Sequence, residues 1–123
     1  GSRFVASEES SAHANFKKAV ISANEGDTQL TLKQLTPVRL MKNNFFEQVA
    51  QAEQKGASVD ELKQLLGRSR AKKGMFEGDL DEGELEIGQV SALVKEIKPA
   101  AKIIEEIISE YEQAKAELCA GEM

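Results

Sequence analysis

Apolar residues recur along this chain in short, separable patterns, each with the period of one kind of element. Arg3-Phe4-Val5-Ala6 is β-favouring and runs into the polar Ser7-Glu8-Glu9-Ser10-Ser11, which predicts a strand end feeding a capped helix. Ala12, Phe16, Ala19, Val20 and Ala23 then fall at helical spacing until Asn24-Glu25-Gly26-Asp27 stops them, which predicts a helix over 12–23. Leu30 and Leu32 alternate with Thr28 and Thr31, and Thr36-Pro37-Val38-Arg39-Leu40 follows; two short extended segments fit better than a helix. Pro37 disfavours a central strand because it has no N–H to donate to a ladder.

Asn43 and Asn44 precede a second helical pattern at positions 45, 46, 49, 50 and 52, closed near Gly56. Ser58 stands three residues before Glu61, the spacing of a capping box, with Leu62, Leu65 and Leu66 behind it as an apolar stripe. After Gly67, the basic stretch 68–76 predicts another short helix. Residues 77–88 place Gly78, Gly83 and Gly88 among acids, which is loop chemistry. Val90, Leu93, Val94 and Ile97 share one face of a predicted helix over 89–97, which Lys98-Pro99 breaks. The last segment has the plainest pattern: Ala100, Ile104, Ile107, Tyr111, Ala114 and Leu118 form a stripe, widened by Ile103 and Ile108, that should be buried against something. Residues 119–123 are expected to be a frayed tail.

Length and composition narrow the class. The 123 residues, 41% apolar and 30% charged, suit one globular domain and are about half of the ~250 that an eight-stranded barrel needs. No apolar run approaches the ~20 residues of a membrane span, and no signal peptide is expected. Cys119 has no partner for a disulfide and no Cys/His cluster suggests zinc, so a reducing, cytoplasmic setting is expected. A net charge of −5 argues against phosphate-driven nucleic-acid binding, and Arg68, Arg70, Lys72 and Lys73 read as a solvated helix face.

Candidate chemistry is sparse. His13 is the lone imidazole, with no nucleophile that sequence alone pairs with it, and is expected at a surface or helix start. Asp79 and Asp81 could open a calcium loop, but positions five, six and twelve fall on Gly83, Glu84 and Val90, so a solvated acidic turn is the expectation. Gly1-Ser2 is either an expression scar or, after a strand, a pair offering backbone N–H groups and a hydroxyl to a phosphate. Gly88-Gln89 is either a loop-to-helix junction or a second source of donors near a ligand. Residue types alone leave both choices open.

Taken together, several stretches resemble one family, the FMN-dependent nitronate monooxygenases (2-nitropropane dioxygenases) with enoyl-acyl-carrier-protein reductase II. Residues 1–10 and Ser11-Ala12-His13 resemble the end of that family's eighth barrel strand and the next helix start. Pro37-Val38-Arg39 is similar to an internal Ala/Pro-Arg segment, and Gly78-Asp79 through Gly83, then Gly88-Gln89, to its Gly-Asp and Gly-Gln signature. The resemblance implies a chain that is mainly α with a short β segment, the C-terminal part of an α/β TIM-barrel flavoprotein carrying an inserted substrate-side domain. It implies a strand end and phosphate loop over 1–9, the smaller domain over 10–85, and helices over 86–123 packing on the barrel.

Gly1 and Ser2 would then bind the FMN phosphate, and Gly88 and Gln89 would approach the flavin pocket. The family's Gly-Gly-His segment and flavin-ring contacts would lie upstream, and His13 does not match the characteristic histidine. No catalytic or metal-binding residue is therefore expected here, and the piece alone should be inactive and prone to aggregate. The implied chemistry is reduction of an enoyl thioester by NAD(P)H or oxidation of a nitronate by dioxygen. The implied partners are a small-molecule or acyl-carrier-protein-linked substrate and the missing barrel half, with a homodimer allowed and neither nucleic acid nor membrane expected. The competing expectation is a free-standing helical interaction module.

Overall fold

The computed structural model describes residues 1–121. In chain order these form α1 (Ser2–Val5), α2 (Ala14–Ser22), β1 (Thr28–Thr31), β2 (Val38–Met41), α3 (Asn44–Gln54), α4 (Val59–Leu66), a π-helical turn (Lys72–Phe76), a 3₁₀ turn (Gln89–Leu93) and α5 (Ala100–Ala120). This is the expected class, mainly helical with one short antiparallel sheet.

Local chemistry accounts for most of these elements. The first residues of a helix carry N–H groups without an intrahelical acceptor, and side-chain oxygens or nitrogens supply one. His13 Nδ1 accepts from Asn15 N–H at 3.0 Å to start α2, Asn43 Oδ1 accepts from Phe46 N–H at 2.8 Å to start α3, and Ser58 Oγ accepts from Glu61 N–H at 3.2 Å to start α4. His13 is thus a helix-start residue, as expected. The two extended segments pair as a hairpin with Thr28 opposite Met41 and Thr31 opposite Val38, leaving Pro37 just outside the ladder.

Two apolar clusters hold the chain together. One joins Ala6, Phe16, Val20, Ala23, Met41, Leu85, Ile87 and Val94, which come from widely separated stretches. The other packs Leu32 and Leu40 of the hairpin on Phe45, Phe46, Val49 and Leu62 of α3 and α4. Leu32 has φ +53, a backbone region costly for a branched side chain, and is held there at 1% exposure with its N–H on Glu53 Oε1.

Several expectations are corrected by the tertiary context. Residues 2–5 are helical rather than a strand end, because among the described residues no strand lies beside them to complete a ladder and Phe4 and Val5 N–H bond back to Gly1 C=O. The polar run after them caps a different helix: Glu9 accepts Ala100 N–H at 3.0 Å, at the start of α5, while Glu8 N–H bonds Lys98 C=O. The helix predicted over 89–97 is only the 3₁₀ turn. Its three-residue period buries Val94 but leaves Val90 and Leu93 exposed. Residues 119 and 120 continue α5 rather than fray, and the end of the predicted tail, residues 122 and 123, lies outside the described residues.

Arg70 is not part of a solvated basic face. Its guanidinium lies 4.5 Å from the Phe45 ring centre and donates to Glu82 C=O and Leu65 C=O. The acidic stretch 77–86 is a solvated turn only in part: Glu77, Asp81 and Glu86 are exposed, whereas residues 83–85 are buried. Asn43 Nδ2 donates to Leu80 C=O and Gly83 C=O, Phe45 N–H bonds Asp81 C=O, and Leu85 sits in the first cluster. The stripe of α5 is the largest departure: within this chain Ile103 alone of that helix is buried, while Ile104, Ile108, Tyr111 and Leu118 are half or more exposed.

Candidate functional site

The residues singled out for cofactor binding lie far apart in the chain, and the fold brings two of them into contact. Gly88 N–H donates to Ser2 Oγ at 3.3 Å across 86 positions of sequence. The approach is close because Gly88 lacks a side chain: a Cβ there would stand 3.0 Å from that hydroxyl. Ser2 opens α1 with Gly1 as its cap residue and no side-chain cap, so the first N–H groups of that turn have no acceptor within it. Gly1 is exposed, with nothing within 4 Å of where a Cβ would be built. Gln89 begins the 3₁₀ turn and is exposed, with no side-chain hydrogen bond among the described residues. Gly1, Ser2 and Gly88 therefore form one open corner, with Gln89 at its edge.

Arg3, next in sequence, is engaged on α5. Its guanidinium pairs with Glu106 at 3.0 Å and Glu110 at 3.1 Å on α5, and these carboxylates raise its pKa further. Lys98 Nζ reaches the same Glu106 at 2.8 Å, and the two cations hold that carboxyl below the ordinary range, Lys98 contributing most. Beneath this network, a cavity of about 440 Å³ opens between α1, the 3₁₀ turn and α5, walled by Val90, Leu93, Val94 and Ile103. None of Gly1, Ser2, Gly88 or Gln89 lines it.

A second arrangement, not anticipated from sequence, supports the corner from behind. The π-helical turn widens at Gly74, Glu77 N–H reaching back five residues to Lys72 C=O, and Gly74 lies directly against Gly83. That contact and the Asn43 bonds set the path of residues 83–88 towards Ser2. Gly78, at φ +83, takes the His13 ring against its open face, where a Cβ would be 2.5 Å from Nδ1. Asp79 Oδ1 accepts the N–H groups of Glu82 and Asp81, which hold its carboxyl below the ordinary range.

Sequence reading also passed over Glu84. It is 8% exposed, and burial, reinforced by Glu86, pushes its carboxyl up to about 8. The alternation Glu84-Leu85-Glu86-Ile87 was a signal of one apolar and one polar face, obscured by the surrounding glycines and acids.

Among the described residues no helix is long and apolar enough to cross a membrane. The structure is similar to two solved structures of FabK from Thermotoga maritima. One has 31% sequence identity and a TM-score of 0.87, covering 98% of this chain and 38% of that one. The other, an M276A mutant, has 30% identity and a TM-score of 0.81, covering 98% and 35%. This chain thus spans little more than a third of the length of those proteins. The nitronate monooxygenase family matches residues 1–110, and this match, over most of a chain whose Gly-Ser and Gly-Gln stretches meet in space, places the protein in the nitronate monooxygenase family.

Proposed function

We propose that this chain is the C-terminal part of an FMN-dependent oxidoreductase, with Gly1 and Ser2 holding the flavin phosphate and Gly88 and Gln89 approaching the flavin pocket. The observation that carries this reading is the Gly88–Ser2 contact. It converges two stretches that family resemblance independently ties to the cofactor. The corner also fits an anion chemically: a hydroxyl, free first-turn N–H groups, a glycine at the close approach to Ser2, and no acid in the first turn of α1. The flavin, when bound, would carry hydride or electrons between NAD(P)H and an enoyl thioester, or from a nitronate to dioxygen.

This chain's own contribution is to bind and orient. Ser2 Oγ would donate its proton to a phosphate oxygen while keeping the Gly88 N–H as donor to itself, so the hydroxyl is aimed by the backbone. Arg3 stays on α5 and fixes α1 rather than the anion. No residue here is assigned a catalytic role, and the piece alone is proposed to be inactive. The exposed apolar face of α5 is assigned to the remainder of the enzyme, which distinguishes this reading from a free-standing interaction module.

The test is to express the complete reading frame and record its visible spectrum and flavin affinity. A yellow protein is expected, with Gly88→Val weakening FMN retention at least tenfold and leaving riboflavin binding less affected, since the new side chain would displace the Ser2 hydroxyl proposed to meet the phosphate. A colourless protein that binds no flavin would overturn the proposal.

A further inference from the structure

α1 is a single turn with no buried residue. So short a helix does not hold itself, because closing a first turn fixes several residues for very few hydrogen bonds. Behind it, Ala6 and Ser7 are buried, and the chain there lies along the approach to α5, Ser7 pairing with Lys98 and Glu8 N–H bonding Lys98 C=O at 2.9 Å. Ahead of it, Ser2 Oγ has one hydrogen bond among the described residues, the 3.3 Å contact with Gly88 N–H, which is long for its kind. Between these ends the Arg3 guanidinium reaches α5, with a bond of 3.0 Å to Glu106 and bonds of 3.1 and 3.2 Å to the two oxygens of Glu110. The two carboxylates are not equivalent. The Glu106 side chain is 25% exposed against 64% for Glu110, and Lys98 Nζ holds both Glu106 oxygens at 2.8 and 3.0 Å. Glu106 is therefore the firmer anchor.

We propose that Glu106 is a positioning residue for the flavin phosphate: through Arg3 it fixes the turn of α1, so that the Ser2 hydroxyl stays against Gly88 and open to the anion. The inference rests on the reading that Ser2 meets that phosphate. Arg3 is one residue from Ser2, so a shift of the guanidinium along α5 carries the hydroxyl with it, whereas Ala6 and Ser7 hold only the far end of the turn. Charge and position predict opposite signs. A carboxylate repels a phosphate, so loss of Glu106 acting through space alone would tighten phosphate binding, as would release of Arg3 towards the anion. Loss of the anchor weakens it instead, since a donor displaced by about an ångström no longer meets its acceptor squarely.

The experiment is fluorescence titration of the complete protein with FMN and, separately, with riboflavin, which lacks the phosphate. In Glu106→Gln the FMN dissociation constant should rise about tenfold while that of riboflavin changes by less than about twofold. Glu110→Gln, which alters the more solvated carboxylate, should give a smaller loss of the same sign. Adding Glu106→Gln to Arg3→Met should weaken FMN binding by less than about twofold further, because the two residues act along one path. Unchanged or tighter FMN binding in Glu106→Gln, an equal weakening of FMN and riboflavin, or additive losses in the double variant would each overturn the proposal. A parent protein that binds FMN no better than riboflavin removes the phosphate reading and this inference together. A parent with a phosphate preference that Glu106→Gln leaves intact removes this inference alone.

Discussion

Replacing Gly83 by Ala tests whether the close backbone contact behind the Ser2–Gly88 corner is as tight as its geometry. The new Cβ would stand 2.2 Å from Gly74 Cα, 2.5 Å from Asp79 O and 2.6 Å from Gly74 N. All three are backbone atoms, so no rotamer change relieves them. The turn at residues 72–76 must move from residues 79–83 by about an ångström or more to restore ordinary carbon contact distances. That movement stretches Gly83 N–H to Asp79 C=O, now 3.2 Å, and Glu84 N–H to Arg70 C=O, now 3.0 Å. Overpacking costs about 1–3 kcal/mol and each weakened bond about 1 kcal/mol, so the loss should be about 3–5 kcal/mol. Gly26→Ala is the control: φ is +86 and nothing lies within 4 Å, so the penalty is backbone strain alone, about 1–2 kcal/mol. Urea unfolding of the complete protein reads both. A Gly83→Ala loss no larger than that of Gly26→Ala would refute the reasoning.

Asn43→Ala removes the cap on Phe46 N–H and both donors to the 80–83 carbonyls, and should cost about 2–3 kcal/mol in the same unfolding assay. Asn43→Asp keeps the cap but not the donors, and should fall between the alanine variant and the parent. Glu84 makes stability depend on pH with a defined sign. Its carboxyl titrates near 8 in the folded chain against 4.5 as a free group, so the folded state holds the extra proton between those values. Stability from this group is present below about pH 4.5 and is lost as pH rises through about 8. Glu84→Gln should flatten that part of a melting-temperature profile, and an unchanged slope would show that the carboxyl is not buried in solution.

Much of the local structure was legible in the residues themselves. The caps at Asn43 and Ser58, the stop at Gly56, the hairpin around Pro37 and the helical period of α2 and α5 all depend on bonds and spacings within a few positions, which a linear chain carries intact. The resemblance that pointed to the nitronate monooxygenase family also needed only short stretches in order. What tertiary structure decided was where each pattern ended up. Residues 2–5, with strand-like composition, close a helical turn because no neighbouring strand offers a ladder. Residues 83–87, in a stretch acidic and glycine-rich enough to pass for a solvated loop throughout, are mostly buried because Gly74 and Gly83 let two backbones touch and Asn43 bonds the Leu80 and Gly83 carbonyls. Arg70 and Glu84 look like surface charges until distant elements remove their water. The α5 stripe shows the converse: its period specifies a face that favours burial, but burial requires a partner, and periodicity names none. Hydrogen bonds between near neighbours are written in sequence, whereas desolvation belongs to whatever surface the fold brings alongside.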